Sequence, residues 1–369
     1  MYLDKLTLIQ FKNFRETEIE FSPKVNCFMG NNGVGKTNLM DAIYYLSFCK
    51  SYFQFSDTLN IQHDAPFFAI HGWYKETPNG DMQLTCLQER GKRKIFKKDK
   101  KEYERFSRHV GTIPLVMIAP DDQDMLVGGS SLRRKFIDGV ISQFDNAYLN
   151  VLVDYNKAVE QRNKLLKFFA ETRSFDDLQL SVWDEQLARL GTEIFQKRDA
   201  FLSDFLPIFQ KYYATITDSA EKVDIIHHSQ LHDKSLENLL RENRQKDLIL
   251  QYTAVGTHRD DLLFLINEHS AQKFASQGQQ KSFVLALRLA QFEYTTRLLH
   301  SKPLLILDDI FDKLDMNRIQ QLIDLVGGEQ FGQVFLTDTQ PGRVEAIFGN
   351  RHIPHKIFHL TYGQITLET

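Results

Sequence analysis

Apolar positions alternate at both ends of the chain and fall at helical spacing in its middle. Tyr2 to Phe11 and Thr17 to Phe21 have the period of two expected of half-buried strands. Val25 to Met29 is a short apolar run that stops at a glycine-bearing loop. Beyond that loop, Leu39, Ile43 and Leu46 lie on one face of a helix predicted from Asn38 to Phe48. Phe67 to Tyr74, Met82 to Gln88, Lys92 to Lys97 and Pro114 to Ile118 read as strands with turns between them. From about Ser131 to Thr217 the period is helical. Leu149, Leu152, Asn156, Val159 and Leu166 form one stripe, and Trp183, Leu187, Leu190, Ile194, Arg198, Phe201 and Phe205 form another. The break near Thr172 to Asp177 predicts two antiparallel helices, too short for a long coiled coil. Strand patterning returns at Gln251 to Ile266, followed by a helix over 280–299. The run Leu304 to Leu307 is very apolar, and Gln333 to Leu336, Lys356 to Leu360 and Gln364 to Leu367 alternate again. The pattern predicts an α/β domain made from both chain ends, residues 1–130 and 251–369, with a mainly helical lobe, 131–250, inserted between them.

Composition adds exclusions. The chain has 369 residues, 42% hydrophobic and 25% charged, so disorder is excluded as its main state. No apolar run approaches the ~18 residues that a membrane span needs. No secretory signal is read at Met1 to Lys5. Cys27, Cys49 and Cys86 fit neither a zinc pattern nor a disulfide framework, so a reducing cytoplasm is the expected home. The net charge of -3 conceals a local concentration. Arg90, Lys92, Arg93, Lys94, Lys97, Lys98, Lys100 and Lys101 face a single acid, Asp99, on an otherwise acidic chain. His227 and His228 are adjacent and would point apart, so they are expected to be solvated or satisfied and not a ligand set. Phe168, Phe169, Phe205 and Phe209 are expected in the core.

The loop Gly30-Asn31-Asn32-Gly33-Val34-Gly35-Lys36-Thr37 fits the pattern G-x-x-x-x-G-K-[ST]. It stands after an apolar strand and before a helix, where backbone N–H groups and the helix N-terminus can surround phosphate oxygens. Lys36 would reach the β and γ phosphates of ATP, and Thr37 would ligate Mg²⁺. A phosphate-bound metal needs an acid. Asp308, at the end of Leu304 to Leu307, suits the Mg²⁺ side, and Asp309 is placed to polarise the attacking water. Lys36 and Asp308 are 272 positions apart, which the inserted lobe explains. Ser276-Gln277-Gly278-Gln279 opens the helix that follows and offers a second phosphate-binding face, suited to a nucleotide held by another subunit; a plain N-cap is the alternative. Phe311 to Asp315 follow the acids as a fourth element.

This ordered set resembles the ABC-type P-loop ATPase heads of the SMC/Rad50 group and, within it, the RecF family. Leu8 to Arg15 resembles that family's start, Ala119-Pro120-Asp121-Asp122 its lid region, and Gly256-Thr257-His258-Arg259-Asp260-Asp261 a block particular to it. By the same resemblance Gly30 to Thr37 is Walker A, Ser276 to Gln279 the signature, Asp308-Asp309 Walker B, and Leu314-Asp315 the D-loop. It implies a Rad50-like head without a long coiled coil that forms a homodimer on ATP. It also implies binding to duplex DNA and to single-strand/double-strand junctions, with RecR and RecO as partners in loading RecA on gapped DNA. Asp309 stands where many such ATPases have Glu, and no switch His follows Val334 to Leu336. Both features imply slow hydrolysis.

Two other readings compete. A P-loop kinase with a helical substrate lobe would have no use for Ser276 to Gln279. An ABC subunit serving a transporter is disfavoured by the basic segment. That segment, through Lys92, Arg93, Lys94, Lys97 and Lys98, is the first candidate for DNA contact. Arg133, Arg134 and Lys135 are the second.

Overall fold

A computed structural model of the chain describes residues 1–217, 221–310, 319, 321–322, 326–340 and 354–368. It divides into two compact units, Met1–Asp122 with Thr215–Asp218 and Lys281–Thr369, and Gln123–Ala214 with Ser219–Gln280.

The first unit begins with β1 (Tyr2–Phe11), β2 (Phe14–Glu20), β3 (Val25–Met29), α1 (Lys36–Phe48), β4 (Phe67–Thr77), β5 (Gly80–Glu89), β6 (Ile95–Lys98), β7 (Lys101–Glu102) and β8 (Leu115–Ile118). Six of these strands form an antiparallel sheet in the order β2-β1-β4-β5-β6-β7. Its alternation follows the sequence: on β5, Met82, Leu84 and Cys86 face the core and the residues between them are more exposed. The predicted strand over 92–97 is the shorter β6, because Lys92 closes a turn onto the Glu89 carbonyl (3.3 Å).

The second unit contains α2 (Asp124–Val127), α3 (Ser130–Phe144), α4 (Asn146–Thr172), most of α5 (Asp177–Thr217), β9 (Val223–His228), α6 (Leu236–Leu250), β10 (Asp261–Ile266), β11 (His269–Ser270), α7 (Ala271–Phe274) and the start of α8 (Gln277–Leu299). The helical hairpin expected across Thr172 to Asp177 is present, with Leu166, Phe169 and Leu180 buried together beside the connection. Phe168, expected in the core, is half exposed, while Phe169, Phe205 and Phe209 are buried. The lobe is not wholly helical. It carries a three-stranded antiparallel sheet, β11-β10-β9.

That sheet moves the boundaries. Residues 251–280 were expected with the C-terminal part of the first domain. They lie in the second unit because β10 pairs along its length with β9. Residues 123–130 also lie there. Arg133 on α3 donates to the carbonyls of Met125 (3.1 Å) and Gly128 (2.9 Å), which holds that segment down.

The chain then returns to the first unit with β12 (Leu304–Leu307), β13 (Val334–Asp338), β14 (His355–Thr361) and β15 (Gln364–Leu367). The second sheet has the order β15-β14-β3-β13-β12-β8, parallel except for β15. Every residue of β3, β12 and β13 is buried, as expected of central parallel strands, and so is every residue of the edge strand β8. β3, from the chain's beginning, lies between β14 and β13, from its end. Neither end can form this sheet alone.

Candidate functional site

Ligands of open parallel sheets bind beyond the carboxyl ends of the strands. β3, β13 and β12 are neighbours, so the loop after β3, Thr337 on β13 and the acids after β12 converge at one edge.

The loop after β3 has the geometry of a phosphate cradle. Gly30 (φ 156°) and Gly35 (φ 116°) occupy positive-φ conformations that side chains oppose. A Cβ on Gly30 would lie 2.7 Å from the Leu360 carbonyl oxygen, and one on Gly35 would collide with the Asn13 carboxamide. Asn13 braces this loop: its Nδ2 donates to the Val34 carbonyl (2.9 Å), and its Oδ1 accepts from Asn38 Nδ2 (2.7 Å). The sequence placed Asn13 in a stretch of family resemblance without a role. A polar residue between Phe11 and Phe14, both fully buried, was the available signal. Lys36 opens α1, and its Nζ donates to the carbonyls of Gly30 (2.7 Å) and Asn31 (3.1 Å). The ammonium is therefore held over the loop it belongs to.

Asp308 is 1% exposed. Its Oδ1 accepts from the Thr337 hydroxyl (2.9 Å), and the same hydroxyl oxygen accepts from the backbone N–H of Asp309 (2.8 Å). Burial pushes the Asp308 carboxyl above its usual pKa range. The Thr337 and Thr37 hydroxyls oppose that shift, Asp309 adds to it and Lys36 counters it. Asp308 Oδ2 is buried and has no partner within hydrogen-bonding geometry among the described residues. Asp309 has φ 50°, a left-handed conformation that Asp tolerates better than most residues. Thr337 thus holds the Asp308 carboxylate and the Asp309 backbone, a role the sequence reading did not assign. Its place at the end of an apolar strand was the clue.

Ser276 caps α8 in a reciprocal arrangement. Its N–H donates to Gln279 Oε1 (2.8 Å), and its Oγ accepts from the N–H of Gln279 (3.2 Å). This is a capping box with Gln at its third position. Gln279 Nε2 also donates to Glu221 (2.7 Å), while Ser276 and Gln277 are exposed. The plain N-cap alternative describes the bonding at this helix start, and Ser276 and Gln277 are exposed beside it. Leu314 and Asp315 lie outside the described residues.

The basic segment is not one surface. Lys94 is buried, and its Nζ donates to the Cys49 carbonyl (2.6 Å), the Tyr45 hydroxyl (3.1 Å) and Asp57 (2.6 Å). It is a core cation, which corrects its candidacy for DNA contact. Lys92 pairs with Glu89 (2.5 Å), and Arg93 donates to the Glu104 carbonyl (3.2 Å), both at the surface. Lys97 and Lys98 lie on β6, partly exposed. The second candidate set also changes. Arg133 makes a bidentate pair with Asp261 (2.7 and 2.9 Å), and Arg134 donates to the Asp260 carbonyl (2.5 Å). Gly256 to Asp261 is a structural knot. Arg198 donates to the Thr257 carbonyl (2.8 Å) and to Asp260 (3.0 Å), and Tyr155 and His258 Nδ1 are 2.9 Å apart. Asp122, in the expected lid region, pairs with the buried Arg288 (2.5 and 3.1 Å) and with the Tyr52 hydroxyl. Beside Asn13 and Asn38 lies an open cleft of about 550 Å³, lined also by Lys12, Ile61, His63 and Arg90.

Comparison with known proteins agrees along nearly the whole chain. Residues 2–353 match the model of the RecF/RecN/SMC N-terminal domain. A Flavobacterium johnsoniae protein named DNA replication and repair protein RecF is 48% identical over 360 residues, covering 98% of this chain and 100% of the relative. Its counterpart from Bacteroides thetaiotaomicron is 44% identical, covering 99% and 98%. A solved structure of the recombination mediator protein RecF with ATP, described within the RecFOR pathway, superposes with a TM-score of 0.91 at 28% identity, covering 100% of this chain and 98% of that one. A Pyrococcus furiosus Smc head shares the fold, with a TM-score of 0.58 at 15% identity.

Proposed function

The chain belongs to the RecF family of DNA replication and repair proteins, and on that premise we propose that it is an ATP-gated DNA-binding switch. The kinase reading falls away with that membership. The observation that carries the mechanism is the convergence of Lys36, Thr37, Asp308 and Thr337 at adjacent strand ends. ATP binds with its phosphates in the loop from Gly30 to Thr37, whose N–H groups and α1 N-terminus provide positive potential. Lys36 exchanges its loop carbonyls for the β and γ phosphates. The donor set suits Mg²⁺: a buried carboxylate oxygen without a partner, beside a threonine hydroxyl, is a site for a hard cation. When bound, Mg²⁺ neutralises phosphate charge. Thr37 and Asp308 would hold it, and Asp309 would orient the attacking water. Asp309 is one methylene shorter than Glu and its backbone is pinned by Thr337, which favours slow turnover.

Hydrolysis resets the switch, and its output is assembly. Ser276, Gln277, Gly278 and Gln279 present the exposed end of α8 to ATP on a second copy, and Leu314 and Asp315 complete that contact. The dimer binds duplex DNA and single-strand/double-strand junctions and works with RecR and RecO to load RecA on gapped DNA. Light scattering and duplex-DNA titration, each with and without Mg·ATP, test this reading. ATP should produce a dimer and tighten DNA binding. Lys36→Ala should abolish both through lost ATP affinity, and Asp309→Asn should retain ATP and prolong the dimer. A chain that stays monomeric with ATP bound would overturn the switch.

A further inference from the structure

The second unit contains a cluster unrelated to the nucleotide site. Asp199 on α5, His227 on β9 and His232 on the turn Gln230–His232 each offer a ligand atom, and these atoms lie within 4.8 Å of one another. We propose that they bind a divalent transition-metal ion of the zinc class, which clips α5 to the strand and the turn.

The donor set is two imidazoles and one carboxylate, which suits Zn²⁺ and its neighbours better than Mg²⁺ or Ca²⁺. His227 supplies the strongest argument. Its Nδ1 lies 2.7 Å from Asp199 and its Nε2 3.2 Å from Asp260, a carboxylate on each side. A neutral imidazole can donate to only one of them, whereas an imidazolium would donate to both, so a metal competes with a proton for this place. Asp260 is held by Arg198 (3.0 Å) and orients the ring from behind. A proton on Nε2 leaves the Nδ1 lone pair facing the Asp199 oxygens, the arrangement a cation resolves. A carboxylate behind a ligating histidine is the usual second shell of a zinc site. The face is accessible, because the side chains of Asp199 and His232 are 42% and 41% exposed while His227 is buried. Phe195 lies against both imidazoles, with centroids 5.5 and 4.9 Å away, and limits their rotation. His232 Nε2 stands 3.8 Å from Asp199 and donates to the His227 carbonyl (2.9 Å). Binding replaces that hydrogen bond with a metal bond and leaves room for water at a fourth position.

The test is Zn²⁺ titration of the full chain, freed of metal by chelation, against a chromophoric chelator, with melting followed in parallel. The comparison variants are Asp199→Asn and His232→Gln, both at half-exposed positions and both able to keep hydrogen bonds. The wild type should bind one more equivalent than either variant, or bind it at least about tenfold more tightly. Zn²⁺ should raise the melting temperature of the wild type and not that of the variants, while all three melt alike without metal. Binding should weaken as pH falls and protons compete for the imidazoles. Equal stoichiometry and affinity in all three chains would overturn the proposal and leave a hydrogen-bonded histidine pair.

Discussion

Asp308 shows how one residue can serve a site at the expense of the fold. Burial raises its carboxyl pKa, so folding disfavours its ionisation relative to the unfolded chain. A carboxyl whose pKa is raised on folding contributes stability below its unfolded value, and that stability is lost as pH rises through the folded value. At neutral pH the ionised group therefore weakens the fold in the absence of a cation. Asp308→Asn should melt higher than the wild type at pH 7, and the difference should shrink as pH falls toward 4, near the unfolded carboxyl's value. The same variant should bind Mg·ATP more weakly. Melting curves across pH and an ATP titration check the two halves, and a lower melting temperature at pH 7 would contradict the first. Legibility at this scale was uneven. Lys36, Thr37 and Asp308 could be read because their chemistry demands fixed spacing beside a strand and a helix. Asn13 and Thr337 could not, because their value comes from partners 21 and 29 positions away.

At the scale of elements, α8 does two things with one end. Its capping box satisfies N–H groups at the helix start, and its exposed Ser276 and Gln277 carry the proposed contact with a second copy's nucleotide. The two roles separate by substitution. Ser276→Ala removes the cap acceptor and should cost about 1 kcal/mol of stability. Ser276→Arg adds bulk on the proposed contact face and should abolish ATP-dependent dimerisation while leaving ATP binding in place. Denaturant unfolding measures the first, and light scattering with a nucleotide-binding assay measures the second. Strands of the parallel sheet were legible as short apolar runs because burial on both faces removes polar residues from them. β9 and α6 were not anticipated. Val223 to His228 carries histidines and an acid on a half-exposed strand, and its partner β10 begins 33 positions after β9 ends. Pairing over that distance leaves no local period to read, and without β9 the true lobe boundary at residue 280 was hidden.

The whole molecule depends on both chain ends, since β3 sits between strands from the last 40 residues. A single ATPase unit is thereby obliged to carry the inserted lobe, and the large separation of Lys36 from Asp308 was the sequence trace of it. The charge distribution was harder to read at this scale, because a run of basic residues does not state which of them reach the surface. Lys94 does not, and the prediction divides accordingly. Lys94→Gln leaves Asp57 without its ammonium and should cost about 2–3 kcal/mol of stability, with no change in DNA binding by the protein that remains folded. Changing Lys92, Arg93, Lys97 and Lys98 to Gln should leave stability nearly unchanged and weaken duplex binding in the ATP-bound dimer. Each lost phosphate contact should reduce the slope of log affinity against log salt by about 0.9. A dimer presents these four residues twice, so the change in slope should be larger with ATP than without it. DNA titrations at several salt concentrations read this directly. An unchanged slope would assign the DNA surface to another part of the molecule, and an equal change with and without ATP would separate DNA binding from dimerisation.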